Sequence, residues 1–354
     1  MHGGDIYRNQ VHMDFSVNVN PLGVPKGVAK TLRDGVSKVM AYPDPLCETL
    51  RSKLALHFES AGITADRILC GNGASELLLA ICHAKKPTSA LLLAPGFLGY
   101  RKALEAVNSA AYDFALREED GFRFTRERFD ALLQELFEKR KRPEIMFLAN
   151  PSNPTGALIP KEWLSELAGQ CDRTQTTLVI DECFLELTAD PERHSMVGEL
   201  LRHQNTWILR AFTKSFAVPG IRLGYLLCPS AEGAEEIARH LPEWNVSIPA
   251  QLAGIAALED VQCLQEARDL IRREREFLAK GLEAAGAKVY PSDANFILFR
   301  WKNEALQKAL LADGILIRDC RDYQGLGPGY FRVAVKTHAE NEKLLLAIRA
   351  CDNE

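Results

Sequence analysis

The chain has 354 residues, more than one hydrophobic core usually organises, so a large domain and a smaller one are expected. Apolar residues make up 47% and charged residues 25%, the balance of a globular protein, and a formal net charge of -4 without a basic block argues against nucleic-acid binding, which needs a clustered positive face. The apolar runs are too short to cross a bilayer, residues 1–5 carry neither the basic nor the apolar region of a secretory signal, and the nine cysteines include no C-x-x-C pair. A cytoplasmic protein with reduced thiols and no metal site is therefore expected.

The first thirty or so residues have no clear period and read as an arm, 1–35, that joins the smaller domain. Beyond it, apolar runs at 90–94, 145–149, 177–180, 206–209 and 223–227 alternate with longer amphipathic segments such as 127–141 and 161–171. Each run has strand length and is apolar on both faces, the mark of a mostly parallel sheet covered by helices on both sides. This predicts an α/β large domain over 36–250. The last hundred residues read differently. A helical stretch at 250–285, strands near 295–299, 314–318 and 330–335, and a helix at 339–350 predict a smaller α+β domain, 251–354.

Chemistry-bearing residues punctuate the ends of these runs. Cys70-Gly-Asn-Gly-Ala74-Ser75 is a glycine-rich turn opening a helix, whose free N–H groups suit a phosphate. No Gly-Lys-Ser/Thr follows, so it is not a nucleotide P-loop. Phe97 stands just past 90–94, where an aromatic can stack on a flat ring. Asn150-Pro-Ser-Asn153-Pro follows 145–149 and shapes a turn that leaves the Asn153 amide free for a ring hydroxyl or a carboxylate. Asp181 ends 177–180 at the carboxyl edge of the sheet, where α/β folds place ligands. Lys214 follows the run 206–209, and Arg222 comes eight residues later inside Gly-x-Arg-x-Gly. A lysine that attacks a carbonyl needs rigid backbone and a lowered pKa, and an arginine fork can grip a phosphate. Taken singly, each of these is an ordinary turn, cap or surface residue; taken in chain order they form a set.

That ordered set resembles the fold-type I enzymes dependent on pyridoxal 5′-phosphate (PLP), the aspartate-aminotransferase-like superfamily, over nearly the whole chain. Further stretches resemble the threonine-phosphate decarboxylases of cobalamin biosynthesis, relatives of the histidinol-phosphate aminotransferases. They are His2-Gly-Gly, Asn18-Val-Asn20-Pro, Tyr42-Pro-Asp44, Asp181-Glu-Cys-Phe184, Ile315-Leu-Ile-Arg318 and Tyr330-Phe-Arg332. The resemblance implies a PLP-dependent carboxy-lyase that converts L-threonine O-3-phosphate to (R)-1-aminopropan-2-ol O-2-phosphate.

The resemblance also implies residue roles. Lys214 would attach the cofactor through a Schiff base, Asp181 would pair with the pyridine nitrogen, and Asn153 would contact the ring oxygen and the substrate carboxylate. Phe97 would stack on the ring, while Ala74, Ser75, Thr213 and Arg222 surround the cofactor phosphate. Tyr42 would reach the cofactor of a neighbouring subunit, which implies a homodimer. Arg332 would bind the substrate carboxylate, and His2, Asn18 and Arg318 the substrate phosphate. Two positions depart from the superfamily pattern. Ala211 replaces a phosphate-binding Ser or Thr, and Phe184 replaces a tyrosine that would reach the ring oxygen. Competing readings are a decarboxylase of L-serine O-phosphate yielding ethanolamine phosphate, a histidinol-phosphate-type aminotransferase, and a non-catalytic PLP-binding regulator.

Overall fold

The computed structural model describes residues 3–137 and 142–351. Its strands in chain order are β1 (Met13–Asp14), β2 (Ile68–Gly71), β3 (Ser89–Ala94), β4 (Ala110–Ala115), β5 (Ile145–Ala149), β6 (Thr177–Asp181), β7 (Thr206–Ala211), β8 (Gly224–Leu227), β9 (Lys288–Val289), β10 (Phe296–Arg300), β11 (Ile315–Leu316), β12 (Arg318–Asp319) and β13 (Tyr330–Ala334). Seven of them form one sheet in the order β2-β8-β7-β6-β5-β3-β4. Strands β3 to β7 run parallel, and β8 is antiparallel to both of its neighbours.

Alternate residues of the parallel strands enter two different cores, as the two-residue side-chain period requires. Leu91, Leu93, Met146, Leu148, Leu178 and Ile180 pack on one face. Ala90, Leu92, Ile145, Phe147 and Val179 pack on the other. This is the two-sided, mostly parallel sheet that the apolar runs predict, and the fold-type I aminotransferase-like architecture that the resemblance implies.

The remaining strands form a four-stranded antiparallel sheet, β12-β13-β10-β9, and a parallel pair, β1-β11. The short pair fastens the N-terminal segment to this region through the Met13↔Ile315 register. Phe15, fully buried, joins Ile297, Phe299, Phe331 and Val333 in a third core.

The structure corrects several sequence expectations. The run at 223–227 is a strand, but an antiparallel one, closed against β7 through Ile208↔Leu227. The helical stretch at 250–285 is two helices, Ile248–Glu259 and Gln262–Ala284, separated at Asp260 and Val261. The segment 314–318 divides into β11 and β12, which belong to different sheets. The expected structureless arm contains the helix Lys26–Asp34, whose single fully buried residue, Val28, gives it too narrow an apolar stripe to read from sequence. The helix expected at 127–141 runs Arg126–Phe137, and its expected last turn lies outside the described residues.

Candidate active site

The carboxyl ends of the parallel strands converge on one cavity. Phe97 stands just past β3, Asn153 in the turn after β5, Asp181 at the end of β6, and Lys214 in the helical turn Phe212–Ser215 after β7. Ala74, Ser75, Thr213 and Arg222 line the same cavity, and the smaller sheet contributes Arg318 and Arg332. Asn18 from the N-terminal segment completes the wall. Tyr42 lies elsewhere: it is 79% exposed, with its ring 4.9 Å from that of Trp244. His2 lies outside the described residues.

Burial and charge set the chemistry of Lys214. Desolvation is the main cause, and the guanidinium of Arg332 the next, of a pKa lowered to about 8. A substantial fraction of the amine is then neutral near physiological pH, as attack on a carbonyl requires. The lysine's turn is fixed from the N-terminal segment. The Asn20 backbone N–H donates to the Lys214 carbonyl at 2.9 Å, and its Nδ2 donates to the Ser215 carbonyl at 2.8 Å.

Asp181 is a buried carboxylate held by neutral donors. Tyr100 Oη donates to its Oδ2 at 2.8 Å, and the Cys183 backbone N–H donates to its Oδ1 at 3.0 Å. Burial raises its pKa, and these hydrogen bonds oppose the rise without cancelling it. A cationic partner in the cavity would stabilise the charge, which suits a protonated pyridine ring. Next to it, Glu182 Oε2 accepts from Arg210 Nε at 3.0 Å and Nη2 at 2.7 Å, a buried pair that ties the ends of β6 and β7 together.

The phosphate-sized corner is made of backbone. Gly73 has φ +78° and precedes the helix Ala74–Lys85, whose N-terminus has no side-chain cap, so its first N–H groups face the cavity. A Cβ at Gly73 would collide with the Arg222 guanidinium, and one at Gly224 would lie 2.6 Å from the Ala74 nitrogen. Arg222 itself is left-handed, with φ 57°. A glycine cradle, an uncapped helix N-terminus and an arginine fork fit a phosphate. Together with the cavity-lining carboxylate of Asp181 and the low-pKa amine, they fit PLP.

Two arginines mark the opposite wall. Arg318 on β12 and Arg332 on β13 are paired across the sheet and buried. Arg332 Nη1 donates to Asn153 Oδ1 and Nη2 to the Ser16 carbonyl at 3.0 Å, while its buried Nε has no partner among the described residues. Arg318 Nη2 donates to both oxygens of Asp322 at 2.7 and 2.8 Å. Asn18 Oδ1 is likewise buried without a partner among the described residues. Of the two departures, Ala211 lines the cavity without a hydroxyl. Phe184 packs edge-on against Phe296 at 5.1 Å, with Lys214 Nζ 5.8 Å from its ring centre.

Sequence reasoning missed several residues of the wall, among them Ser16, Tyr100, Cys183 and Tyr323. Cys183 sits two residues from Asp181, and its position was the available signal. The others arrive through long-range packing, and Tyr100 reaches Asp181 across 81 positions.

Comparison with known proteins agrees with this geometry. A family model described as aminotransferase class I and II matches residues 10–348. A threonine-phosphate decarboxylase of Salmonella typhimurium is 35% identical over 340 residues, covering 95% of this chain and 90% of that one. An adenosylcobalamin biosynthesis bifunctional protein of Leptospira interrogans is 30% identical over 94% of this chain and 38% of its own length. The crystal structure of the histidinol-phosphate aminotransferase from Clostridium acetobutylicum superposes with a TM-score of 0.86 at 30% identity, covering 96% of this chain and 99% of that one. With a family match that takes in all three sheets and every cavity-lining residue named above, the chain belongs to the class I and II aminotransferase family.

Proposed function

We propose that this chain is a cytoplasmic, PLP-dependent decarboxylase of L-threonine O-3-phosphate, releasing CO2 and (R)-1-aminopropan-2-ol O-2-phosphate for cobalamin synthesis. Its cofactor is pyridoxal 5′-phosphate. The observation that carries the reading is the pair Arg318 and Arg332, two buried cations side by side on the wall of the lysine cavity. A substrate with two separate anionic groups needs two such anchors. The similarity to the Salmonella typhimurium decarboxylase supports the choice of reaction.

Each residue has a task. Lys214 carries the covalent attachment of the cofactor, and Asp181 faces the ring nitrogen. Ala74, Ser75, Thr213 and Arg222 hold the cofactor phosphate, Phe97 covers the ring, and the Asn153 amide, its oxygen engaged by Arg332, donates through its NH2 group. When bound, the cofactor supplies an electron-accepting ring for the pair left behind as CO2 departs. Arg332 takes the substrate carboxylate, which satisfies its unpartnered Nε. Arg318 and Asn18 take the substrate phosphate, with His2 as a further donor. Fixing both anionic ends would let these arginines set the torsion about the bond to the substrate carboxylate. Lys214 Nζ is the proton carrier for the substrate Cα. The active unit is a homodimer in which the exposed Tyr42 completes the phosphate site of the partner subunit.

The deciding experiment incubates holoenzyme with L-threonine O-3-phosphate, L-serine O-phosphate, and histidinol phosphate plus a 2-oxo acid. CO2 release with a phosphorylated amino alcohol as product is expected. Amino-group transfer without CO2 would replace this reading with an aminotransferase.

A further inference from the structure

Arg318 stands between two cavities. One is the lysine cavity; the other lies on the side of the N-terminal segment, where Arg8, Lys308 and Arg321 contribute to its lining. The Arg318 side chain is 6% exposed, while that of Asp322, which it holds, is 31% exposed. The two belong to different kinds of backbone. Arg318 is locked in β12 opposite Arg332, whereas Asp322 rides on the turn 321–325 that follows. The guanidinium lies over the Tyr323 ring, 5.3 Å from its centre, so one face of the cation is covered by an aromatic.

A guanidinium this deeply buried must keep a counter-charge whether or not a ligand is present. Asp322 supplies it with one carboxylate, through Nη2 alone. A phosphate ester offers nearly two charges and three acceptor oxygens. It cannot share the same nitrogen with Asp322 without like-charge repulsion. Resting on the reading of Arg318 as the substrate-phosphate site, we infer that Asp322 is a stand-in anion. It occupies Arg318 in the resting enzyme and is displaced by the incoming phosphate.

The consequence is a phosphate affinity set by competition. A phosphate replaces the pair it breaks with stronger contacts. A hydroxyl in the same place does not, and leaves Arg318 with Asp322, so the amino acid without its phosphate gains nothing from this wall. Asp322 is thus a residue that sets how tightly the phosphate is held, touching the binding arginine and not the reacting atoms.

Asp322→Asn tests this, because it keeps the side chain's size and one acceptor oxygen while removing the charge. Holoenzyme and variant are compared by the KM for L-threonine O-3-phosphate, by the inhibition constant of inorganic phosphate, and by the binding of L-threonine read from the cofactor absorbance. Both phosphate constants should fall about tenfold, equivalent to about 1.4 kcal/mol, with L-threonine unmoved. Asp322→Ser should shift them in the same direction, and either variant suffices if the other does not fold. Phosphate constants that rise or stay put in a folded variant would show that Asp322 supports Arg318 rather than competing for it, and would overturn the inference alone. Wild-type enzyme that binds L-threonine O-3-phosphate no better than L-threonine would remove Arg318 from the phosphate site, and the functional reading would go with it.

Discussion

Lys214 is where charge and burial pull hardest against each other. In the unfolded chain its amine keeps a proton to its ordinary value of 10.5; in the fold, burial first and then Arg332 bring that down to about 8. Below pH 8 both states are protonated, and the folded protein bears the full penalty of a buried cation. Between about 8 and 10.5 the unfolded chain binds more protons, so stability rises with pH across that window. In protein stripped of cofactor, Lys214→Met should therefore raise the melting temperature below pH 8, and the gain should shrink as the pH climbs toward 10.5. A gain flat in pH would assign the effect to packing instead. Asp181 poses the opposite problem, a carboxylate whose burial favours its neutral form. The Tyr100 hydroxyl at 2.8 Å is one of the donors that keep it ionised. A hydrogen bond to a charged group contributes about 1.5–3 kcal/mol. Tyr100→Phe should lower kcat by at least about tenfold and move the acid limb of the cofactor's absorbance titration to higher pH. A lower kcat with an unmoved titration would mean that Tyr100 only packs against Phe147, its ring neighbour at 5.3 Å.

At the scale of elements, the turn between β2 and the helix Ala74–Lys85 depends on its glycines for a geometric reason. Gly73 combines a left-handed φ with direct contact to Arg222, so Gly73→Ala strains the backbone and displaces the phosphate-gripping fork together. Cofactor binding measured by fluorescence titration should weaken by about 5- to 150-fold, given a strain of order 1–3 kcal/mol. Gly220→Ala, two residues from Arg222 but with open space around it and no left-handed φ, is the matched control and should bind as wild type. The sequence makes β3, β5, β6 and β7 legible because buried parallel strands are apolar on both faces. It hides β4, whose partly exposed Asp113 is offset by Arg101 at 2.6 Å, and it cuts β7 short at Arg210, whose charge is neutralised by Glu182 across 28 positions. The site follows the same division. Phe97, Asn153, Asp181 and Lys214 directly follow their strands, so local pattern finds them. Tyr100 and Tyr323 reach the cavity by tertiary packing, which no local period records.

For the whole molecule, the open question is whether one chain makes a complete site. Tyr42 carries the motif expected of a phosphate-binding tyrosine, yet it stands outside its own cavity, exposed and with its ring tilted against that of Trp244, itself 44% exposed. An aromatic pair left in water on a protein of this size marks a contact surface. If Tyr42 serves the partner's cofactor, two individually defective chains should repair each other. Lys214→Ala removes the lysine from its own cavity, and Tyr42→Phe removes a hydroxyl from the opposite one. In a mixed dimer both defects fall in the same cavity, and the other cavity keeps its lysine and its tyrosine. Random reassortment of equal amounts makes about half the dimers mixed. Each has one intact site of two, so the mixed dimers should supply about a quarter of wild-type activity. If Tyr42 acted within its own chain, no mixed dimer would contain an intact site and reassortment would yield only the average of the parents. The excess over the parental average, about a quarter of the activity that Tyr42→Phe removes, therefore reports in which subunit the tyrosine acts.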